Sequence, residues 1–332
     1  MVSSSSYTNL YVQSELPTHK GEAAQQAALV NGIVSSVMYS AVSVCMVISN
    51  KLISATLDPE VRDRLPQGTV IMFQCAVAVV MVEIAKHCNI VEYPAFNVTT
   101  AKSWLPLNLL FIGMLFSGFI SLIYVSVPMV TITKNLANII TVFGEYYLFG
   151  EPLSYLTLLS VFIMVVGAVL AGANDLEFNF YGYVWMAINC VFTSGYVLYM
   201  RYASTSIKLP RFGMVYYNNL LSIALLLPIC LFRDEFSVLA DPDIMTLPFV
   251  ASNVIAGVLG FYLNFASLWC VSATNATTYA IVGSLNKVPI TVLGFLMFNA
   301  KMTTEGIVFI TLATLGGFLY AYSKLPSNNN NK

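Results

Sequence analysis

Two lysines stand inside long apolar runs, Lys134 within residues 128–149 and Lys287 within 275–298. If those runs cross a bilayer, each lysine costs about 2.5–3.5 kcal/mol on insertion scales and must face a cavity or a partner. Snorkelling to the surface is the plain alternative. As helices, the runs would place Lys134 about 9 Å from one membrane face and Lys287 about 16 Å from the same face, too deep for easy escape. Two cations at similar depth point to an anion site, with a structural ion pair to Glu145 as the rival.

The neighbouring residues extend that pattern. Thr131, Lys134, Asn138, Thr141 and Glu145 recur every three or four positions and form one polar helical stripe. Tyr279, Gly283 and Asn286 share a face in the later run, with Lys287 beside it. Pro289 removes a backbone hydrogen bond from Gly283-Ser284-Leu285-Asn286-Lys287, which loosens the helix there as a hinge or a tolerated kink. Tyr216-Tyr217-Asn218-Asn219 sets adjacent amides at the start of another apolar run. Such amides can pair with a nucleobase edge or serve as interhelical glue, and spacing alone does not choose.

Other chemistries lack their residues. The six cysteines, Cys45, Cys75, Cys88, Cys190, Cys230 and Cys270, show no paired spacing, and the two histidines, His19 and His87, stand apart. Neither a disulfide framework, a metal site nor a nucleophilic triad is expected, and no metal or cofactor is called for. A net charge of −1 argues against nucleic acid as a partner.

Hydrophobic residues make up 58% of the chain and charged ones 9%, against about a quarter charged in soluble domains. The composition implies an all-α membrane protein. Helices are expected at 28–50, 68–86, 104–125, 128–149, 154–173, 181–202, 212–231, 246–271, 275–298 and 304–323, each near the roughly 20 residues that cross a bilayer. Trp104 and Trp185 fall near helix ends and read as interfacial aromatics. The first run begins near Ala27 behind a polar tail, as an uncleaved anchor does.

With the N-terminus inside, that side carries Lys20, Lys86, Lys102, Arg201, Lys208, Arg211, Lys324 and Lys332. The other side carries Lys51, Arg62, Arg64, Arg233 and Lys301, a bias that favours both termini in the cytosol. The sequons at Asn97 and Asn275 then face the cytosol and stay unmodified. A shift of about 149 positions superposes Leu136 on Leu285, Phe149 on Phe298 and Gly167 on Gly316. Five helices per half is odd, so the halves would insert as inverted repeats, an architecture common in transporters. The organisation read is a tail 1–27, repeats 28–173 and 181–323, and a tail 324–332.

The motif Gly283-Ser284-Leu285-Asn286-Lys287 resembles the Gly-Ala-Leu-Asn-Lys motif of GDP-mannose transporters, and Tyr216-Tyr217-Asn218-Asn219 resembles their Phe-Tyr-Asn-Asn motif. Asn50-Lys51, Lys134-Asn135-Leu136, Gly144-Glu145 and Thr277-Thr278-Tyr279 are similar too, so the resemblance spans nearly the whole chain. It implies a ten-helix Golgi nucleotide-sugar transporter of the drug/metabolite transporter superfamily that exchanges GDP-sugar for GMP without metal or ATP. It further implies guanine contacts from Tyr217, Asn218 and Asn219. Phosphate, ribose and sugar contacts would come from Lys134, Tyr279, Gly283, Ser284, Asn286 and Lys287, with Asn135, Asn138 and Glu145 lining the cavity. Membrane lipid is the surrounding partner, and a homodimer is compatible. Ser284 stands where the family motif has Ala, and its hydroxyl could admit GDP-fucose or another GDP-hexose beside GDP-mannose. Two rivals stay open: another organic phosphate exchanger of that superfamily, and a polytopic transferase using a nucleotide-sugar donor.

Overall fold

Each long apolar run folds as a helix, because a chain in hydrocarbon must satisfy its backbone N–H and C=O groups internally. The structure, a computed structural model, describes residues 20–55, 65–150, 152–207, 209–274, 282–283, 285–298, 300–301 and 303–323. Its elements are α1 (Lys20–Ala55), α2 (Gln67–His87), α3 (Val98–Tyr124), α4 (Val127–Thr133), α5 (Asn135–Phe149) and α6 (Tyr155–Ala173). There follow α7 (Phe180–Ser206), α8 (Arg211–Phe232), α9 (Glu235–Val238), α10 (Leu247–Ala273), α11 (Lys287–Phe298) and α12 (Thr304–Ser323). Eight of the described helices are long and apolar enough to cross a membrane. Phe232 is 93% exposed and Leu247 82%, so large apolar side chains cover the outside, as a lipid-facing surface requires.

Local sequence sets the helix ends. Asn97, Ser154, Asn179 and Thr246 each precede a helix and accept a hydrogen bond from a backbone N–H of its first turn. The Asn97 sequon is thus the N-cap of α3. Gly150 ends α5 at φ 67°, a left-handed conformation that costs glycine nothing. At the C-terminus of α3, the Lys51 ammonium donates to the carbonyls of Leu122 at 2.5 Å and Val125 at 3.0 Å. Pro66 gives α2 no side-chain cap. Glu235 supplies one from the distant α9, accepting from the Thr69 backbone N–H at 2.9 Å while pairing with Arg233 at 3.3 Å.

Three expectations need correction. The run 128–149 is not one helix: Lys134, at φ −57° and ψ −21°, makes a turn between α4 and α5. The first helix begins at Lys20, inside the stretch read as a tail. Trp104 is no interfacial aromatic, because it is fully buried and its indole N–H donates to the Asn218 side-chain oxygen at 2.7 Å. Pro289 has no N–H to reach the Leu285 carbonyl, and the helical run is interrupted there: residues 282–283 and 285 are helical, Asn286 makes a turn, and α11 resumes at Lys287. The stretch 275–281 before it lies outside the described residues.

The helices pair in a regular way. α3 packs on α7 and α1 on α10, α6 packs on α12, α2 on α8, and α4 on α11. The α6–α12 contact is close because two glycines bring backbones together. A Cβ on Gly167 would stand 2.7 Å from the Ala313 nitrogen, and one on Gly316 would stand 2.9 Å from the Met164 nitrogen.

Candidate functional site

A cavity of about 420 Å³ lies among α1, α2, α3, α5, α7, α8 and α10. Lys134 lines it from the α4–α5 turn, and Asn138 lines it one helical turn later. The cation is exposed to this cavity, and among the described residues no aspartate or glutamate lines the wall. An ion pair with Glu145 is ruled out by geometry, since about 16 Å of helix separates the two. Glu145 is half-buried further along α5, within electrostatic reach of Tyr320, and lines no part of the cavity. The rest of the expected stripe turns inward on its own backbone: Thr131 donates to the Val127 carbonyl and Thr141 to the Ala137 carbonyl.

Asn135 points away from the cavity. It is buried, accepts a hydrogen bond from the Lys287 ammonium and donates to the Ala313 carbonyl at 3.4 Å. Lys287 is therefore held at the α5–α11–α12 junction, close enough to Lys134 for their charges to repel. Asn286 beside it is 2% exposed, and neither atom of its amide has a hydrogen-bond partner. The Tyr39 hydroxyl lies 3.5 Å from where a Cβ on Gly283 would stand. Tyr279 and Ser284 lie outside the described residues.

The tyrosine–asparagine motif divides into three roles. The Tyr217 ring is buried away from the cavity, where its hydroxyl accepts from the Asn97 N–H at 2.8 Å and its ring stacks on Phe96. Asn218 lines the cavity, but its amide is already held at both ends. Its oxygen accepts from Trp104 and its nitrogen donates to the Tyr196 hydroxyl at 3.0 Å. Asn219 also lines the cavity, and its nitrogen donates to the Val215 carbonyl at 2.8 Å. A carbonyl only accepts, so the nitrogen must face it and the Asn219 oxygen is left over as an acceptor. Asn264 on α10 repeats this arrangement against the Gly260 carbonyl at 2.8 Å and lines the same cavity.

Several lining residues had no motif around them: Gln74, Asn189, Thr193, Tyr196 and Asn264. Asn50, noted only beside Lys51, also lines the cavity and accepts from the Gln74 amide at 3.4 Å. The signal that could have found them is simple. Each is an isolated amide or hydroxyl inside an apolar run, where a polar group needs a reason.

Apolar helices with an apolar exterior, closed around a cavity of amides and a lysine, define a multi-pass membrane carrier. Residues 30–321 match the triose-phosphate transporter family, and the chain belongs to that family. A GDP-mannose transporter of Aspergillus clavatus is 31% identical over 335 residues, spanning 95% of this chain and 87% of that one. A GDP-mannose transporter of Arabidopsis thaliana is 32% identical over 302 residues, spanning 88% of this chain and 89% of that one. A solved crystal structure superposes with a TM-score of 0.54 over 89% of this chain and 97% of the other, at 15% identity, which shows a shared fold alone. The chain is a transporter and not an enzyme.

Proposed function

We propose that this transporter is a nucleotide-sugar antiporter of the Golgi membrane. It carries a GDP-sugar, GDP-mannose foremost with GDP-fucose or another GDP-hexose beside it, into the lumen in exchange for GMP. The observation that carries the reading is a cavity holding a cation and fixed amide acceptors, with no carboxylate among the described residues of its wall. The ammonium of Lys134 suits a diphosphate. Asn219 and Asn264 turn acceptors toward a base, and guanine presents N–H donors along its Watson–Crick edge. The names of the relatives from Aspergillus clavatus and Arabidopsis thaliana support the same substrate class. Lys287, held on Asn135 close to Lys134, adds a second positive charge for the phosphates, while Asn286 and Gly283, with Tyr279 and Ser284, serve ribose and sugar.

Alternating access runs through ten helices in two inverted repeats, 28–173 and 181–323, with both termini cytosolic. In this reading α4 and α5 form one broken span and α11 completes another. The pairing of helices supports the repeat. A shift of 149 carries α3 onto α10 and α7 onto α1, so the α3–α7 contact maps onto α10–α1. The same shift maps the Gly167–Ala313 contact onto Gly316–Met164. Exchange is obligatory because an empty cavity leaves the Lys134 cation uncompensated, and closing around it is costly.

The test is uptake of labelled GDP-mannose, GDP-fucose, GDP-glucose and UDP-sugars into proteoliposomes preloaded with GMP. Uptake of GDP-sugars that depends on internal GMP is expected. The family match favours one second reading, an exchanger of other organic phosphates. Competition by triose phosphates in preference to guanine nucleotides would establish it.

A further inference from the structure

Asn189 on α7 is 1% exposed and lines the cavity, yet its side-chain oxygen has no hydrogen-bond partner. Its nitrogen is fully engaged across the α3–α7 contact, donating to the Met114 carbonyl at 2.7 Å and to the Ser117 hydroxyl at 3.2 Å. Gly118 leaves room for this approach, since a Cβ there would stand 3.0 Å from the Asn189 nitrogen. With both amide hydrogens committed, Asn189 can act toward a ligand only as an acceptor. A buried acceptor left unpaired is costly, and each such group in a native fold calls for a partner.

The position of the residue narrows that partner. Asn189, Thr193 and Tyr196 follow one face of α7 along the cavity wall. Tyr196 touches Asn218, and about 10 Å of helical rise separates it from Asn189. Cys190 contacts the Thr133 carbonyl and Ser194 the Ala137 carbonyl, which sets this part of α7 beside Lys134. A phosphate at Lys134 brings only acceptor oxygens, which cannot satisfy an acceptor. The neutral rings that flank a diphosphate carry hydroxyl donors.

We infer that the Asn189 side-chain oxygen accepts a hydrogen bond from a sugar hydroxyl of the transported nucleotide, on either the hexose or the ribose, an assignment that rests on the nucleotide-sugar reading above. Asn189 is then a specificity-determining residue, set beside the phosphate-binding lysine.

The experiment measures competition by GMP, 2′-deoxy-GMP, 3′-deoxy-GMP, GDP-mannose and GDP-2-deoxymannose in proteoliposomes holding the full chain, Asn189→Leu, Asn189→Ser or Ser117→Ala. A hexose contact weakens GDP-mannose about threefold to tenfold in the Asn189 variants and leaves GMP unchanged. A ribose contact weakens GMP and GDP-mannose together, and one deoxy-GMP then binds the variant and the unaltered chain equally. Ser117→Ala keeps the acceptor and should preserve the ranking of all five ligands. If Asn189→Leu does not fold, the Asn189→Ser ratios decide. Unchanged affinities, or a loss shared equally by every ligand including the deoxy compounds, overturn the inference and leave the oxygen to water or packing. If the unaltered chain binds no guanine nucleotide, the proposed function falls first and this assignment with it.

Discussion

Lys134 and Asn138 reach the cavity while Asn135 turns from it, because successive helical residues point about 100° apart. Lys134 therefore lines the cavity, and Lys287 is held on Asn135. Lys134→Ala should abolish measurable exchange. Leaving a buried charge without its partner costs about 3–5 kcal/mol, which is more than about a hundredfold in GMP affinity. Near-normal exchange by that variant would remove the anion-site argument. The two asparagines of the tyrosine motif should separate cleanly. Asn219→Ala loses one acceptor and should weaken GMP competition several-fold, for about 0.5–1.5 kcal/mol. Asn218→Ala instead strands the buried Trp104 indole N–H, at about 1–3 kcal/mol for a buried group left unpaired. Its signature should be a lower melting temperature in detergent, and an unchanged melting point with lost GMP binding would reverse the two roles.

At the scale of the element, the α6–α12 pair depends on absent side chains. Gly167 and Gly316 each face backbone atoms of the opposing helix closer than 3 Å from a built Cβ. Backbone cannot rotate out of the way as a side chain can, so neither site tolerates bulk. Gly316→Leu should destabilise the protein by about 1–3 kcal/mol through overpacking. Thermal unfolding followed by size-exclusion chromatography measures it, and a stability equal to the unaltered chain would mean that the helices do not approach as closely as described. Charged residues at helix ends have local work as well. Lys51, read from sequence as a topology charge, caps α3, and Glu235 caps α2 from beyond α8.

At the scale of the whole molecule, the lysine and arginine bias and the odd number of helices per half predict that both termini face the cytosol. Tags at each end should be reached by antibody after permeabilisation of the plasma membrane alone. A tag that requires the Golgi membrane to be opened would refute the orientation and, with it, the inverted repeat. If the two proposed halves reorient, contacts that join them must break and remake. The Lys287–Asn135–Ala313 chain is one such contact, since the proposed division puts α11 and α12 in one half and α5 in the other.

Much was legible in the sequence by itself. Long apolar runs could only become membrane helices, but their starts were less legible: Asn97 reads as a sequon ahead of a helix expected from 104, while the structure makes it the cap of a helix that starts at Val98. The lysines at 134 and 287 announced a polar interior because hydrocarbon offers a charge no other place. The motifs carried the family. Only the tertiary structure decided which face of each polar helix met the cavity, because that depends on rotation about helix axes set by packing against neighbours. It separated Asn218, locked by Trp104 and Tyr196, from Asn219 beside it. It also turned Tyr217 and Asn135 into structural contacts and gave the cavity Gln74, Asn189 and Asn264. Those three come from separate helices far apart in the chain, and no spacing along a sequence records which residues of distant helices will share a wall.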